Sequence, residues 1–358
     1  VNPKIIIDTG AIGHNMRLLT EKCGPLGISV TGVTKGCCGN AAIAEALAAA
    51  GAAYIGDSRV ENLKKLKRVG VPKVMLRLPM PSEVKAVVEY ADYSLNTEAD
   101  TVAGLSREAL SRGKKHKVIL MIDVGDLREG IWYEDESRIY ALAESTLKCK
   151  GVELAGIGTN LTCFGGVIPT VGNYTLLVLL AEGLRRRYGI PLPVVSCGNS
   201  SCIHLLYENS IPEGITNLRI NQAVLNGREL AYGKHIAGWK EDCFVLRAEI
   251  IEVMTKPSMP KGEIAAAYAF GKPVPQRDKG VRKRAILAVG RQDIDHESLL
   301  PLAKNAEVAG ASSDHLIVDV TDCPRDFKAG DTMDFAIRTY KGLISGMISP
   351  YIQKTVDG

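Results

Sequence analysis

The sequence predicts an α/β chain: an N-terminal (β/α)8 TIM-like barrel over residues 1–235, then a C-terminal, mostly β domain over 236–358. Three observations carry this. Short apolar runs alternate with helical patterns at roughly 25–30 residues per unit, the spacing of a barrel of about 200–250 residues. Most of those runs are apolar on successive residues, as strands covered on both faces must be. After Leu230 the rhythm changes to strands and turns without intervening helices. A doubly wound open sheet would share the first two features, and the count of eight strands favours the barrel.

In order, the chain opens with an apolar run at Lys4–Ile7 and a helix capped near Asp8 or Thr9. Strand-like segments follow near 28–34, 53–56, 73–77, 92–95, 117–123, 152–158, 193–197 and 216–219. Helical patterns fall between most of them, at 41–50, 59–69, 82–90, 98–112, 137–148, 173–187 and 199–207. In the second domain, strands are expected at Phe244–Val253, Lys283–Val289, Leu316–Val320 and Thr332–Ile337, with turn-like breaks at 257–262 and 328–331.

Composition narrows the function classes. The chain is 46% hydrophobic and 23% charged, which is ordinary for a soluble protein. A net charge of +4, from 44 basic and 40 acidic residues, is too slight to imply a nucleic-acid partner. The basic clusters Lys114–Lys117 and Arg185–Arg187 read as solvated helix ends. The nine cysteines form no Cys-x-x-Cys pair, so no metal site is expected, and their odd number suits a reducing compartment. The opening Val1-Asn2-Pro3-Lys4 has no signal-like region and no apolar stretch is long enough to span a membrane. A cytoplasmic protein is expected.

In such a barrel, chemistry sits at the C-terminal ends of the strands. The first strand ends at Lys35, in Val33-Thr34-Lys35-Gly36-Cys37-Cys38. A desolvated lysine there is a nucleophile able to form a Schiff base; a strand-end lysine with its ammonium in water is the plainer reading. The fifth ends in Asp123-Val124-Gly125-Asp126-Leu127-Arg128-Glu129, and the sixth in Thr159-Asn160-Leu161-Thr162-Cys163. The seventh ends in Gly198-Asn199-Ser200-Ser201, which opens a helix and suits either a phosphate or a simple N-cap. The eighth carries Arg219, an anchor for a ring nitrogen or half of a buried ion pair. Arg128 suits a carboxylate or a phenolic oxygen, or else lies on the surface.

Taken together, Val33-Thr34-Lys35, Asp123-x-Gly-x-x-Arg128, Asn199-Ser200, Leu218-Arg219 and Ser313-Asp314-His315-Leu316-Ile317-Val318-Asp319-Val320-Thr321 resemble the alanine racemase superfamily. The segments 158–166, 57–62 and 289–293 look most like its ornithine racemase branch. The resemblance implies a pyridoxal 5'-phosphate (PLP) enzyme that racemises an amino acid, ornithine or a related basic one. It makes Lys35 the Schiff-base lysine and one catalytic base, and gives Asn160 the place near the ring where alanine racemases have a histidine. Asn199 and Ser200 would bind the phosphate end and Arg219 would face the pyridine nitrogen. Asn221 and Gln222 are also carried as cofactor-binding positions, and Arg128 as a substrate-binding catalytic residue. An arginine in the place of Arg219 would leave the ring nitrogen unprotonated, which favours reversible proton transfer.

The chain also departs from the family. The phosphate-binding tyrosine after the lysine is absent from Gly36-Cys37-Cys38-Gly39-Asn40, and Ile220-Asn221-Gln222 replaces Pro-Gly after Arg219. The second base of alanine racemases is a tyrosine from the other subunit, in a segment that here reads Gly290-Arg291-Gln292-Asp293. Asp293 is the leading substitute, with Asp295, His296, Ser313 and Asp314 behind it, supplied by the C-terminal domain of the partner in a homodimer. Asp126 or Glu129 would meet the distal ammonium of a basic substrate. The rival classes are an alanine or broad-specificity racemase, a PLP carrier, a metal-dependent aldolase or dehydratase, and a sugar-phosphate enzyme without PLP. A carrier normally stops after the barrel, whereas ~120 residues follow it here. The metal enzyme lacks a ligand cluster in the second domain.

Overall fold

The computed structural model describes residues 3–267, 270 and 277–357. The chain divides after Cys243: Asp8–Cys243 form one compact unit, and the opening strand joins Phe244–Asp357 in the other. The division lies beyond the expected boundary at 235/236 for a physical reason. Lys240 donates its backbone N–H to Asn15 Oδ1 at 2.7 Å, and Asn15 Nδ2 donates back to Lys240 O at 2.9 Å, which ties this stretch to the first helix.

The chain starts with β1 (Lys4–Asp8) and α1 (Thr9–Cys23). Asp8 ends the strand and caps the helix, its carboxylate accepting from Ala11 N at 2.7 Å. The alternation then runs β2 (Ser29–Val33), α2 (Ala41–Ala49), β3 (Tyr54–Asp57), α3 (Val60–Lys65), β4 (Lys73–Met75), α4 (Val84–Tyr90), β5 (Tyr93–Asn96) and α5 (Ala99–Ser111). It continues with β6 (His116–Asp123), the short β7 (Ile131–Trp132), α6 (Glu136–Lys148), β8 (Val152–Gly158), α7 (Val171–Tyr188), β9 (Val194–Cys197), α8 (Ile203–Tyr207), β10 (Asn217–Ile220) and α9 (Gln222–Asn226).

The strands β2, β3, β4, β5, β6, β8, β9 and β10 pair in parallel in that order, and β10 pairs back onto β2, which closes the barrel. Arg219 lies opposite Thr31 across that seam. Strand interiors are buried nearly without interruption, as in Val118–Asp123 of β6, because helices cover their outer faces. Val74, Tyr93, Leu95, Ile119, Met121 and Ala155 form an apolar cluster within this unit. Each such side chain contributes about 1.5–3 kcal/mol on burial. Gly156 is required in β8, since a Cβ there would stand 2.0 Å from Val194 O.

The second unit is a sheet ordered β13 (Leu299–Pro301), β16 (Thr332–Ile337), β11 (Phe244–Pro257), β12 (Val281–Leu287), β15 (Leu316–Asp319), β14 (Glu307–Ala311), with β1 on β11 and β17 (Gln353–Asp357) on β1. The long β11 breaks register between Ile250 and Glu252 and so serves different partners along its length: β1 and β16 first, β12 afterwards. One helix, α10 (Tyr340–Ile348), interrupts the expected run of strands and turns. His116 departs from its expected place at a solvated helix end. It begins β6, is buried, and its ring bonds Ser94 Oγ at 2.8 Å.

Candidate active site

A cavity of about 440 Å3 opens in the barrel unit. Its lining joins Lys35, Arg128, Glu129, Asn160, Asn199 and Arg219 with Ser58, Arg77, Cys163 and Asn221, over an apolar floor of Val33, Leu76, Leu78 and Leu95. The volume suits a drug-sized ligand. Four cations face a single carboxylate in this wall, Glu129, so the site favours anionic groups.

Lys35 starts a 3-10 turn directly after Thr34. Thr34 is fixed by Asp57 at the end of β3: Thr34 Oγ1 donates to Asp57 Oδ2 at 2.7 Å. The other oxygen of Asp57 accepts from Arg59 N at 2.9 Å and Asn62 Nδ2 at 3.1 Å. Burial raises the Asp57 pKa despite these donors. From the opposite side of the seam, Asn221 Nδ2 donates to Val33 O. The segment that presents Lys35 is thus held from two neighbouring strands.

Lys35 keeps contact with water through the open cavity, so its side chain is exposed. Its amine is nevertheless surrounded by enough protein to lower its pKa, first by desolvation. Cys163 and Glu129 oppose that shift, while Arg128 and Arg219 add to it.

Arg219 is 5% exposed and its hydrogen-bond partners are neutral. Its guanidinium donates to Ser196 Oγ, to Thr159 O at 2.5 Å and to Asn160 Oδ1 at 2.8 Å. Asn160 Nδ2 donates to Glu129 Oε1 at 2.5 Å, and Glu129 holds Arg128 through both carboxylate oxygens. These contacts form one continuous chain from Arg128 to Arg219. Burial lowers the Arg219 pKa, which remains a feature of a cation placed among neutral acceptors.

Other expected residues fall differently. Asn199 lines the cavity, its Nδ2 donating to Leu161 O at 2.8 Å and to Cys163 Sγ at 3.2 Å. Ser200 is buried beneath it and accepts from Ala223 N at 2.9 Å. Ser200–Cys202 is a 3-10 turn before the five-residue α8, not the first turn of a longer helix. The left-handed backbone at Gly198 (φ 69°) makes this turn, and a Cβ there would meet Cys202 Sγ at 2.5 Å. Gln222 is half-buried at the start of α9 and does not line the cavity.

Asp126 does not line the cavity. Its carboxylate points into the protein and accepts from the backbone N–H groups of Cys163, Phe164 and Val167 at 3.0, 2.9 and 3.3 Å. Three fixed donors outcompete a mobile ligand, so the residue ties down the loop after β8. Of the two carboxylates expected near a distal ammonium, Glu129 alone lines the cavity. Asp293 belongs to the β unit, is buried, and accepts from Gly290 N at 2.9 Å. Asp295, also in that unit, pairs with Lys341 at 3.1 Å, and Asp314 with His315 at 2.8 Å. Sequence reasoning missed the support that Asp57 gives Thr34 and the placement of Cys163 and Ser58 in the cavity.

A PLP-sized anion fits this donor set on its chemistry. Beyond the cations, Asn221 lines the cavity and leaves its Oδ1 buried without a hydrogen-bond partner. A hydroxyl or N–H of a bound group would satisfy that acceptor.

Comparison with known proteins agrees with this geometry. The alanine racemase N-terminal domain family matches residues 7–218. The chain belongs to the alanine racemase family. An ornithine racemase of Acetoanaerobium sticklandii is 45% identical over 352 residues, 98% of this chain and 99% of that one. A lysine racemase of Thermotoga maritima is 39% identical, over 100% of this chain and 99% of its own length. Among solved structures, alanine racemase from Streptomyces lavendulae aligns with a TM-score of 0.79 at 18% identity, covering 100% of this chain and 97% of that one. Alanine racemase from Bartonella henselae, solved with covalently bound pyridoxal phosphate, gives 0.75 at 19%, covering 100% of both. These two likenesses establish the shared fold of this alanine racemase family member.

Proposed function

We propose that this chain is a PLP-dependent amino-acid racemase acting on ornithine or a related basic amino acid by proton exchange at Cα. The observation that carries this reading is Lys35, an amine of lowered pKa facing a cavity with Arg128, Glu129 and Arg219. Bound there, PLP supplies an aldehyde for covalent attachment and a ring that delocalises the electron pair left at Cα.

The residues divide the remaining work. Lys35 provides the amine of attachment and, once the substrate amine has displaced it, a base for one face of Cα. Arg219 is assigned to the ring nitrogen, which a guanidinium keeps unprotonated. Arg128 is assigned to the substrate carboxylate, for which its planar fork is suited. Asn160 is assigned to the neighbourhood of the ring, Asn199 and Ser200 to the phosphate end, and Asn221 to the cofactor, whereas Gln222 lies outside the cavity lining. Glu129 is the one carboxylate in the lining, so it is the natural partner for a distal ammonium. The names of the two relatives, an ornithine and a lysine racemase, support the basic substrate.

For the opposite face, Asp293 stays a candidate from the likeness of its segment, contributed by the second domain of a partner in a homodimer. A cytoplasmic location completes this reading. Among the described residues no helix is long and apolar enough to cross a membrane.

Two measurements test the proposal. Protein incubated with PLP gains an absorbance band near the visible edge that borohydride bleaches, and Lys35→Ala lacks that band. Chiral chromatography then follows alanine, serine, lysine, ornithine and arginine, with ornithine or lysine inverted fastest. A protein that stays colourless with PLP would sink the cofactor assignment, and a coloured protein that inverts none of the five would be a carrier.

A further inference from the structure

We propose that Cys163 is the second proton carrier of the racemase reaction, working across the cavity from Lys35. The inference rests on the racemase reading and deepens it, because it places both proton-transfer groups in one barrel.

Of the nine cysteines in the chain, five are buried and three half-exposed, and Cys163 alone among them lines the cavity. It follows β8, whereas Lys35 follows β2. Around the closed barrel those strands are separated on the short side by β9 and β10, so the two side chains enter one cavity from different parts of its rim. A two-base exchange needs that arrangement, since the groups must reach opposite faces of one carbon.

The thiol is held in place. The backbone N–H of Cys163 donates to Asp126 at 3.0 Å, and the preceding Thr162 adopts a left-handed backbone (φ 63°) while its hydroxyl donates to Val167 O at 2.7 Å. Asn199 Nδ2 donates to Cys163 Sγ at 3.2 Å, which orients the sulfur. Lys35 and Arg128 both interact with it electrostatically. A separate observation marks the same cavity as built for a ligand. Asn221 lines it, is 7% exposed, and leaves Oδ1 without a partner.

The step balances without any further reagent. Lys35 takes the proton from one face of Cα as that C–H bond breaks. The thiol of Cys163 then delivers its proton to the other face, where the new C–H bond forms. The enzyme is left with Lys35 protonated and Cys163 as thiolate, and exchange with water restores both. In the reverse direction the thiolate abstracts and the ammonium delivers. By contrast, the Asp293 carboxylate is engaged with Gly290 N in its own turn.

The test uses the PLP-loaded protein with Cys163→Ala and Cys163→Ser. Both variants are expected to keep the cofactor band and lose at least 100-fold in racemisation of the preferred substrate. In D2O both should still wash deuterium into Cα of one enantiomer without inverting it, within about tenfold of wild type, because Lys35 still works alone on its face. Separately, iodoacetamide with mass spectrometry should label Cys163 ahead of the other cysteines, and loading with PLP and substrate should slow that labelling at least tenfold. Racemisation within threefold of wild type in either variant overturns the inference, as does labelling of Cys163 that ligands leave unchanged. A 100-fold loss in Asp293→Asn with Cys163→Ala unaffected would also overturn it and return the role to the β unit. If the wild type itself fails to racemise, it is the underlying reading that falls.

Discussion

Arg219 Nη2 donates to Asn160 Oδ1 at 2.8 Å, and Asn160 passes the connection on through Nδ2 to Glu129. One amide therefore serves a buried cation on its oxygen and a carboxylate on its nitrogen. Neither charged group hydrogen-bonds the other, so the amide bridges them, alongside the through-space attraction between the two charges. Asn160→Ala should leave Arg219 short of an acceptor and Glu129 short of a donor, costing about 1–3 kcal/mol in chemical denaturation. Racemisation should fall by about tenfold or more, since the groups held ready for the reaction are loosened. Unchanged stability and turnover would show that water replaces the amide without loss.

Glu129 supplies the test of substrate class. Its carboxylate holds Arg128 through both oxygens and is the acidic member of the cavity wall. Glu129→Gln keeps the shape and an acceptor for Asn160 but removes the charge. The KM for ornithine should rise about tenfold or more over that for alanine, because a buried ammonium loses its counter-charge. Equal changes for both substrates would remove Glu129 from side-chain selection.

Asp57 acts on Lys35 through Thr34, whose hydroxyl it accepts at 2.7 Å. Asp57→Ala removes the acceptor for that hydroxyl, for Arg59 N and for Asn62 together. A loss of about 1–3 kcal/mol in stability is expected, mainly from the buried Asn62 amide, since Thr34 Oγ1 retains Gly56 O at 3.3 Å. The borohydride-sensitive band should also form more slowly, a readout that general destabilisation at low temperature does not produce. A band that forms at the wild-type rate in the folded variant would limit Asp57 to a structural role.

Much of this was legible in the sequence. The barrel strands announce themselves because most are apolar on successive residues and are followed by small or polar residues at the rim. Lys35, Arg128, Asn160, Asn199 and Arg219 could be grouped from those strand ends alone, and they do line one cavity. What stayed hidden depends on where a side chain turns. Asp126 and Glu129 lie three residues apart, and only the fold decides that the first faces the loop after β8 and the second the cavity. α10 was missed because Gly342 and Gly346 depress helix propensity. They are there for packing: a Cβ on Gly342 would stand 2.3 Å from Ser298 Cβ, and one on Gly346 would stand 2.8 Å from Ile5 Cδ1.

Asp126 should control the order of the loop that carries Cys163. Its carboxylate gathers three backbone donors from Cys163 to Val167. Asp126→Ala should raise amide hydrogen exchange across residues 163–167 by about tenfold or more while the barrel strands stay protected, since those amides lose a shared acceptor. Exchange that rises equally in the barrel would mean global destabilisation instead.

The last prediction concerns acid. His116 is 1% exposed at the start of β6, and burial pushes its pKa down from 6.5 to about 4. Unfolding returns the ring to water and its ordinary value, so between these limits the unfolded chain binds the extra proton. Stability from this group is therefore intact above about pH 6.5 and is lost as the pH falls toward 4, by about 3 kcal/mol at 1.36 kcal/mol per pH unit. Denaturation midpoints across that range should drop for the wild type. They should drop less for His116→Gln, which keeps a hydrogen-bonding group for Ser94 but cannot take up the proton. Parallel curves for the two proteins would assign the acid sensitivity to other groups, such as the carboxylates paired with Arg282, Asp319 and Asp322.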